Sequence, residues 1–491
     1  MSYADTVTGP RPKAPTHDVL EGFRTIVGPK GYRDDPDTLK PWLVDWRGLY
    51  SGKTPVMLSP ATVRELQQIV SLAARTNTAL VPQGGNTSMV GGATPPEDGH
   101  AILVSLRRLD KVRALDGANH YAIVEAGVIL ETLHEAALAK QVRFPLTLGA
   151  KGSATIGGLV STNAGGTQVL RFGTMRRLVQ GLEAVLPDGS LFSDLAGLKK
   201  DNRGYDLSQL LIGAEGTLGF VTAARLHLVD AITDNAVAWV GTRSPHDALA
   251  MLRAMEAKSG TSIESFEIVP DPSLQLVCTH IAGARSPFSS AYPWNVLVEL
   301  VSPPSSSATA RATLQDLLET ELNSGRALDA VIAANDAQAK AFWRLRDCVS
   351  EAERASGPAI QHDISVAVEA MPDFMCDAAK QIEAEFPGVK ASAFGHLGDG
   401  NVHFHVRAPE GIDPATWRAG QGKAASDRVY ELVMLAGGSI SAEHGIGQMK
   451  RPTFAKTIDA ARLGALLAIK HALDPQGLMN PGKLLPLASD G

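Results

Sequence analysis

Two glycine-rich stretches in the first third of the chain constrain its fold more than any other feature. The first, PQGGNTSMVGG at residues 82–92, directly follows the apolar stretch TALV, and the second, GAKGSATIGGLVSTNAGG, occupies residues 149–166. Glycine adopts positive φ angles and lets a bulky ligand approach the backbone. Runs of N–H groups in such loops form concave anion sites that suit a pyrophosphate. Each stretch taken alone predicts either a nucleotide site or simply a tight turn.

Neither stretch contains a common nucleotide-binding motif. No G-x-G-x-x-G sequence opens a helix with an acidic residue about twenty positions later, which a Rossmann dinucleotide site requires. The phosphate loop G-x-x-x-x-G-K-[ST] is absent from the sequence as well. A nucleotide that binds here is therefore held by a different kind of loop.

Length, charge and cysteine content exclude several classes of protein. At 491 residues the chain exceeds one compact core, so two or three subdomains are expected. The formal net charge of −6 comes without a block of lysine and arginine, which argues against a nucleic-acid partner. No stretch of about eighteen uncharged apolar residues predicts a membrane span. Three scattered cysteines (Cys278, Cys348 and Cys376) indicate a reducing compartment, and no signal-peptide pattern opens the chain, so a cytoplasmic enzyme is expected.

The order of the predicted strands and helices changes near residue 236. Before it, strands such as AILVSL and YAIVEAGV mix with helices such as LETLHEAALAK, which predicts an α+β domain. One helix is expected to begin at Ser59-Pro60, a capping residue followed by proline. After it, strands such as NVLVELVS alternate with amphipathic helices such as SPHDALAMLRAMEA, which predicts a second, α/β layer domain.

Three histidines cluster in FGHLGDGNVHFHV, residues 394–406, of a chain with 13 histidines. The turn formers in LGDGN separate two apolar stretches and predict a β-hairpin, with His396 entering the turn and His403 and His405 leaving it. Side chains alternate along a strand, so His403 and His405 share one face. These imidazoles could bind a metal, hold an anion or cap a polar sheet, and the hairpin alone does not decide between them.

Six motifs in order resemble those of one flavoprotein family. The two glycine stretches, GYDLSQLLIGAEGTLGFVT and LDPQGLMNPGK are similar to the FAD-binding segments of the vanillyl-alcohol oxidase and p-cresol methylhydroxylase superfamily (the PCMH type). The hairpin sequence and SAEHGIGQMKR resemble the branch that contains D-2-hydroxyglutarate dehydrogenase, D-lactate dehydrogenase and the glycolate oxidase flavoprotein subunit. The match runs from about residue 45 to residue 487, and D-2-hydroxyglutarate dehydrogenase is the most similar member.

The resemblance implies an α+β fold in four parts. These are a lead-in (1–45), a two-subdomain FAD-binding domain (46–232), an α/β substrate or cap domain with the metal-binding hairpin (233–440), and a C-terminal segment (441–491) that returns to the flavin. The implied FAD-binding residues are Gln83, Gly84, Gly85, Asn86, Thr87, Ser88, Gly149, Gly152, Ser153, Gly157, Gly158, Thr162, Asn163, Gly166, Gly219, Val221 and Asn480. Some superfamily members attach FAD through a histidine in the first glycine loop. Asn86 stands there in this chain, so non-covalent FAD is expected.

A metal site is implied by the same resemblance. Two imidazoles and one carboxylate form a normal ligand set for a divalent first-row metal, with positions left open for substrate. His396, His403 and Glu443 can supply this set, and the resemblance selects the same three residues. The expected ion is Zn²⁺, with Mn²⁺ or Co²⁺ as alternatives.

The resemblance also assigns the substrate site. His444 corresponds to the general base, and an imidazole that titrates near pH 6.5 suits that role. Arg346 corresponds to the arginine that grips a substrate carboxylate, and Ser350, one helical turn later, is expected on the same helix face. Two positions depart from the family pattern, because Gln361 replaces a lysine and His405 replaces an asparagine. The full implied substrate-binding set is Arg346, Ser350, Gln361, His405, His396, His403 and His444.

The predicted function is FAD-dependent, metal-assisted oxidation of a D-2-hydroxy acid to the 2-oxo acid, with D-2-hydroxyglutarate as the leading substrate. Alternatives are a D-lactate or glycolate dehydrogenase, a flavin-free metal-dependent hydrolase, and a flavin-binding subunit that is active only in a larger complex. The electron acceptor could be an electron-transfer flavoprotein or a quinone, and a homodimer is left open. The neutral side chain at Gln361 leaves the preferred hydroxy acid undecided.

Overall fold

The computed structural model describes residues 12–302 and 308–486. Its chain forms two compact units. The first contains the residues up to Gly166, Phe172–Ala231, and the chain from Glu443 onward, and the second contains Thr167–Arg171 and Ile232–Ala442. The first eleven residues of the predicted lead-in lie outside the described residues.

The strands, in chain order, are β1 (Tyr32–Arg33), β2 (Met57–Leu58), β3 (Leu80–Gln83), β4 (Ile102–Ser105), β5 (Val112–Asp116), β6 (Tyr121–Glu125), β7 (Val142–Arg143), β8 (Val179–Val185), β9 (Leu191–Asp194), β10 (Phe220–His227), β11 (Val229–Asp230), β12 (Asp234–Thr242), β13 (Ile263–Pro270), β14 (Trp294–Ser302), β15 (Asp329–Ile332), β16 (Ala359–Ser365), β17 (Lys390–His396) and β18 (Asn401–Arg407).

The helices, in chain order, are α1 (His17–Gly31), α2 (Pro36–Leu43), α3 (Val63–Thr76), α4 (Leu130–Leu138), α5 (Ile156–Ser161), α6 (Val169–Phe172), α7 (Met175–Leu178), α8 (Leu207–Leu211), α9 (Pro245–Ser259), α10 (Asp271–His280), α11 (Ala310–Ser324), α12 (Asp336–Asp347), α13 (Val349–Ala355), α14 (Met371–Glu385), α15 (Pro414–Ala419), α16 (Gln421–Leu435), α17 (Arg451–Thr457) and α18 (Ala460–Leu473). No helix within residues 12–302 and 308–486 is both long and apolar enough to cross a bilayer.

Two larger sheets form most of the first unit, which also contains the two-stranded pairing of β7 with β11. A four-stranded sheet has the order β1-β2-β4-β3, in which β4 runs parallel to β2 and to β3, and a five-stranded antiparallel sheet has the order β5-β6-β10-β8-β9. Helix α1 buries Phe23 and Val27 in the core of the four-stranded sheet, together with Leu66 and Ile69 of α3. Much of the segment predicted as a lead-in therefore packs into this core.

Helix α3 begins at Val63, so its predicted start at Ser59-Pro60 is wrong. Oγ1 of Thr62 accepts a hydrogen bond from the backbone N–H of Glu65 at 3.1 Å, and Oε2 of Glu65 accepts one from the N–H of Ala61 at 2.7 Å. The first of these bonds satisfies an N–H group that the helix start leaves without a partner, and the second ties the chain before the cap to the first turn. Thr62 is therefore the cap.

A single seven-stranded sheet, in which every pairing is antiparallel, forms the centre of the second unit. Its order is β15-β12-β14-β13-β17-β18-β16. Helices α9, α11, α14 and α16 bury one face of the sheet, and α10, α12 and α13 bury part of the other. The mixed helix-and-sheet fold predicted from the sequence, in which a layered domain follows the first domain, is confirmed.

The predicted histidine hairpin is confirmed as strands β17 and β18. His396 pairs with Asn401, Phe394 with His403, and Ser392 pairs across from His405. The turn between the strands needs Gly400, whose φ is 82° and whose position leaves no room for a Cβ beside the carbonyl oxygen of Val366, 2.1 Å away.

Candidate functional site

The first glycine stretch is a bare backbone loop that lies directly against the second one. A Cβ added at Gly84 would be 2.1 Å from Oγ1 of Thr155, and a Cβ at Gly85 would be 2.0 Å from the carbonyl oxygen of Ser153. No residue with a side chain fits at Gly85, because the atom it would meet is backbone. The structure therefore brings the two predicted cofactor loops together within the first unit.

Gln83 and Asn86 fix the base of this loop. Nε2 of Gln83 donates to the carbonyl oxygens of Trp42 and Ala93, at 2.9 and 3.0 Å. Asn86 adopts a φ of 55°, and its Nδ2 donates to the carbonyl oxygen of Val44 at 3.0 Å. Both amide nitrogens therefore donate to the protein and help to shape the loop.

The hydroxyl of Ser88 organises the far side of the loop. Its Oγ accepts hydrogen bonds from the N–H groups of Val90 and Gly92, at 3.3 and 3.0 Å. The hydroxyl proton can still donate to a ligand, since accepting two bonds uses only the oxygen lone pairs. Thr87, beside it, is half-buried.

The second glycine stretch packs by close backbone approach. A Cβ at Gly157 would be 2.6 Å from Cβ of Ala126, and one at Gly166 would be 2.3 Å from the carbonyl oxygen of Thr147. Thr155 caps helix α5 without a side-chain cap bond, and its Oγ1 has no partner among the described residues. The start of α5 therefore presents a hydroxyl that is not used internally, whereas the N–H groups of Ile156 and Gly157 donate to the carbonyl oxygens of Val128 and Ala126, at 2.9 and 2.8 Å.

Thr162 and Asn163 end helix α5. Oγ1 of Thr162 donates to the carbonyl oxygen of Gly158 at 3.0 Å, and Oδ1 of Asn163 accepts from the N–H of Arg176 at 2.9 Å. Asn163 has a φ of 49°, which asparagine tolerates better than most residues. Both side chains support the loop through bonds to the protein.

The remaining predicted flavin residues in this part of the chain divide into two groups. Gly149, Gly152 and Ser153 are exposed. Gly219 has a φ of 144°, and a Cβ there would be 2.7 Å from the carbonyl oxygen of Val185. Val221 is 4 % exposed and its side chain belongs to the core of the five-stranded sheet. Val221 can therefore meet a ligand only through its backbone.

The C-terminal tail contacts the glycine loop. The chain at Leu478 pairs with β3, and the N–H of Leu80 donates to its carbonyl oxygen at 2.9 Å. Asn480 has a φ of 45°, and its Nδ2 donates to the carbonyl oxygens of Glu215 and Gly92, at 2.7 and 3.0 Å. The tail is thus part of the first unit and touches the predicted cofactor loop.

Glu215 is a site residue that the sequence interpretation missed. Its buried carboxylate accepts hydrogen bonds from the N–H groups of Ile446 and Gly447, at 2.7 and 2.8 Å, and so holds the segment that follows Glu443 and His444. Burial raises the pKa of its carboxyl group, although these two bonds oppose the shift. Its place inside the glycine-rich motif GAEGTLGF was the available signal.

The first unit suits a nucleotide-like cofactor. In the glycine loops, the strand before them and the tail, three buried acceptor atoms have no hydrogen-bond partner among residues 12–302 and 308–486, namely Gln83 Oε1, Thr155 Oγ1 and Asn480 Oδ1. Buried polar atoms are normally paired, so these atoms indicate a ligand that donates hydrogen bonds. Together with the bare backbone at Gly84 and Gly85, they fit a bound FAD.

In the second unit, one carboxylate organises the hairpin. Oε1 of Glu267 lies 2.7 Å from Nδ1 of His396, and Oε2 accepts from Nε of Arg346, also at 2.7 Å. Nε2 of His396 then lies 3.3 Å from the Arg346 amino group. Glu267 is 1 % exposed, and the sequence interpretation missed it because no motif marks either glutamate of strand β13 as a site residue. A carboxylate bonded to Nδ1 fixes the imidazole so that Nε2 can serve as a ligand atom.

His403 faces His396 across the hairpin. The ring centroids are 5.4 Å apart, and ring nitrogens of the two residues lie within 4.8 Å of each other. Desolvation, with the charges of Arg346 and His396 close by, holds the pKa of the His403 imidazole well below its usual range. Burial opposes ionisation of Glu267, but His396 and Arg346 outweigh it and lower the pKa of that carboxyl group. A neutral imidazole at His403 is the form that binds a metal.

The second unit ends one residue before the third predicted ligand, Glu443. The N–H of Ala442 donates to the carbonyl oxygen of Asp363 at 3.4 Å, on the strand next to His403. Asp363 in turn accepts from Nδ2 of Asn401 at 3.0 Å. Glu443 is the first residue of the segment that belongs to the first unit. The donor set of two imidazoles and a carboxylate suits a divalent metal.

Ser350, Gln361 and His405 lie together in the second unit. Nε2 of Gln361 donates to the carbonyl oxygen of Ser350 at 3.4 Å, and Gln361 is the register partner of His405 on the adjacent strand. The expected helical turn from Arg346 to Ser350 is wrong, because α12 ends at Asp347 and α13 begins at Val349. The chain turns at Cys348, so Ser350 reaches Gln361 from a separate helix.

Comparison with known proteins gives two family matches. Residues 54–194 match the family described as the FAD binding domain, and residues 233–484 match the C-terminal domain of FAD linked oxidases. The second match alone covers more than half of the chain.

Two relatives and one solved structure extend these matches. The mitochondrial D-2-hydroxyglutarate dehydrogenase of Arabidopsis thaliana is 35% identical over 464 residues, which are 94% of this chain and 81% of that protein. A D-2-hydroxyglutarate dehydrogenase of Xanthomonas citri pv. viticola is 35% identical over 456 residues, 92% of this chain and 93% of that protein. The structure of p-cresol methylhydroxylase superposes with a TM-score of 0.72 at 15% identity and covers 97% of this chain and 99% of that one, which supports the fold alone.

Proposed function

Because the chain belongs to the FAD-linked oxidases, in the group that includes the D-2-hydroxyglutarate dehydrogenases, we propose that it oxidises D-2-hydroxyglutarate to 2-oxoglutarate with the help of a divalent metal. The observation that carries this proposal is the carboxylate of Glu267, which holds His396 and Arg346 side by side. A 2-hydroxy acid carries a hydroxyl next to a carboxylate. The metal that His396 would hold and the guanidinium of Arg346 are together complementary to this hydroxyl and carboxylate.

FAD is proposed to bind without a covalent bond in the first unit, since Asn86 stands where some relatives have the linking histidine. The loop at Gly84 and Gly85 would receive the pyrophosphate, and the unpaired acceptors Thr155 Oγ1 and Asn480 Oδ1 would take hydrogen bonds from the cofactor. When bound, FAD supplies the hydride acceptor that no side chain provides.

His396, His403 and Glu443 are proposed to hold the metal, with Zn²⁺ expected. The neutral imidazole of His403 and the carboxylate-oriented imidazole of His396 support this assignment. When bound, a divalent cation lowers the pKa of a hydroxyl that it contacts.

Arg346 is proposed to bind a substrate carboxylate, and His444 to accept the hydroxyl proton. Arg346 is 8 % exposed and already oriented through its Nε, so its amino groups are presented with little loss of side-chain freedom. Glu215 would keep His444 in place by fixing the N–H groups of Ile446 and Gly447 just after it.

A D-lactate or glycolate dehydrogenase is the second candidate. It is supported by Gln361, whose neutral amide gives less attraction for a second carboxylate than a lysine would. The two candidates share the chemistry and differ only in substrate size and charge.

Anaerobic titration of the purified protein tests both candidates. The flavin spectrum is followed while D-2-hydroxyglutarate, D-malate or D-lactate is added, with and without a chelator. Bleaching by D-2-hydroxyglutarate that stops after chelation supports the proposal. Bleaching by D-lactate alone selects the second candidate, and a colourless protein that does not take up FAD favours a flavin-free hydrolase. Normal flavin reduction by a His444→Ala variant would refute the role of His444 as the base.

Electron acceptor, assembly and location are separate proposals. An electron-transfer flavoprotein or a quinone would reoxidise the flavin, and adding each to the reduced protein distinguishes them. If a stable partner co-purifies with the protein and turnover requires that partner, the activity belongs to a larger complex. Sedimentation tests whether the protein forms a homodimer. Location in the cytoplasm stays a prediction. The Arabidopsis relative is named as mitochondrial, so cell fractionation is the direct test.

A further inference from the structure

A five-residue segment, Thr167–Arg171, leaves the first unit and joins the second before the chain returns at Phe172. We call it the strap. It begins directly after Gly166, the last residue of the second glycine stretch. No motif in the sequence singles it out, yet all of its contacts described below are made with elements of the second unit.

Two of these contacts fasten the strap to strand β13. NH1 of Arg171 lies 2.8 Å from Oε2 of Glu264, with exposed side-chain fractions of 20 and 2 %. Oγ of Ser265 donates to the carbonyl oxygen of Thr167 at 3.0 Å. The register of β13 against β14 shifts between Ile263 and Ser265, and a bulge of this kind re-aims a side chain. The bulge lies where Glu264 meets Arg171.

A third contact reaches the hairpin turn. A Cβ added at Gly398 would be 2.4 Å from Cδ1 of Leu170, so the backbone of the turn lies directly on the leucine. The neighbouring residue of the turn, Leu397, donates its N–H to the carbonyl oxygen of Phe266 on β13 at 3.1 Å. The turn is thus held between the strap and the strand.

These contacts surround the residue that orients the metal ligand. Glu267 follows Phe266 on β13, pairs in register with His396, and holds both His396 and Arg346 through its carboxylate. We propose that the strap positions this group, with Arg171 and Leu170 as positioning residues for metal binding by the hairpin. This inference rests on the proposed function, since it assumes that His396 and His403 bind a metal.

The test is the affinity of the flavin-loaded protein for Zn²⁺, measured by titration calorimetry. Arg171→Gln removes the guanidinium that lies 2.8 Å from Glu264, and we expect metal binding to weaken on the order of tenfold, as when a group that supports a ligand is removed. Arg171→Lys keeps the charge and should recover much of the affinity. Arg326→Gln is the matched control, because Arg326 and Glu321 form another pair with a buried glutamate in this unit, 2.6 Å apart.

The outcomes separate the strap from the metal site itself. Unchanged Zn²⁺ affinity in a folded Arg171→Gln variant, or an equal loss in Arg326→Gln, would overturn the positioning role. If Arg171→Gln does not fold, Ser265→Ala decides, since it removes only the bond to Thr167 and should still weaken Zn²⁺ binding. Failure of the wild-type protein to bind Zn²⁺ would instead overturn the proposed metal site.

Discussion

Nδ1 of His396 lies 2.7 Å from Oε1 of Glu267, although 129 residues separate the two in sequence. The same carboxylate accepts from Nε of Arg346 at 2.7 Å. One buried glutamate therefore sets the orientation of an imidazole and of a guanidinium, and it supplies the negative charge that stabilises the buried guanidinium of Arg346.

Glu267→Gln is expected to weaken metal binding by about tenfold to a hundredfold, the usual loss when a group that supports a histidine ligand is changed. The amide keeps the shape but cannot accept from both His396 and Arg346 with a full negative charge. Calorimetric titration with Zn²⁺ measures the loss. Glu299→Gln, on the neighbouring strand β14, is the control and should bind Zn²⁺ like the wild type. Equal affinities for all three proteins would contradict the role of Glu267.

Gly85→Ala is expected to abolish FAD binding. Its Cβ would lie 2.0 Å from the carbonyl oxygen of Ser153, so one of the two glycine loops must move. Absorbance of the purified protein at the flavin wavelengths measures the effect. Gly464→Ala is the control, because nothing lies within 4 Å of a Cβ there, and alanine inside helix α18 should stabilise it by about 0.5–1 kcal/mol. Retention of FAD by the Gly85→Ala variant would exclude the close packing of these loops.

Asp474→Ala is expected to loosen the C-terminal tail and release FAD. The carboxylate of Asp474 accepts from the N–H groups of Leu478 and Met479, at 3.0 and 2.8 Å, and pairs with Nζ of Lys470 at 2.5 Å. Removing one partner of a buried pair costs about 3–5 kcal/mol. Fluorescence of released FAD measures the loss.

Asp459→Ala is the control for the tail. Asp459 caps helix α18 through the N–H of Arg462 at 2.8 Å, and its loss should cost only about 1 kcal/mol. Equal release of FAD by both variants would mean that general instability, and not the tail, explains the result.

Local patterns predicted the parts of the site that depend on neighbouring residues. Turn formers between two apolar stretches predicted the hairpin. Runs of glycine predicted the loops, because glycine is needed where a side chain has no room. The start of α3 was placed too early because Ser59 is also a capping residue, while the bonds of Thr62 decide the position. The turn at Cys348, which separates α12 from α13, was not predicted because no glycine or proline marks it in the sequence.

The sequence did not predict the contacts between residues that lie far apart along the chain. Glu215 and Glu267 are carboxylates whose partners lie far away along the chain, at 231 positions for Ile446 and at 79 and 129 positions for Arg346 and His396. Glu215 lies inside a glycine-rich motif, whereas Glu267 belongs to no motif, and the partners of both come from other segments. The strap could not be predicted for the same reason. Its role depends on the contact between Arg171 and Glu264, and its own composition does not indicate that contact.

Lys483 gives a pH dependence of stability. It is 4 % exposed, and burial, with the charge of Arg451 adding to it, lowers the pKa of its ammonium group to about 8, while Glu215 partly offsets the shift. In the unfolded chain a lysine titrates near pH ~10.4. Between the two values the unfolded chain binds a proton that the folded chain has lost. The free energy of unfolding should therefore rise with pH across this range, by about 3 kcal/mol in total, and the buried charge is fully destabilising below pH ~8.

Denaturant unfolding of the wild type and of Lys483→Met, from about pH 7 to about pH 10.5, measures this contribution. Methionine keeps the length of the side chain and removes the titrating group, so the variant should be the more stable protein at neutral pH and should lose the advantage as pH rises. Lys456→Met, at an exposed position in α17, controls for the loss of a lysine and should follow the wild-type curve. Parallel curves for the wild type and Lys483→Met would show that the ammonium of Lys483 keeps its ordinary pKa in the folded protein.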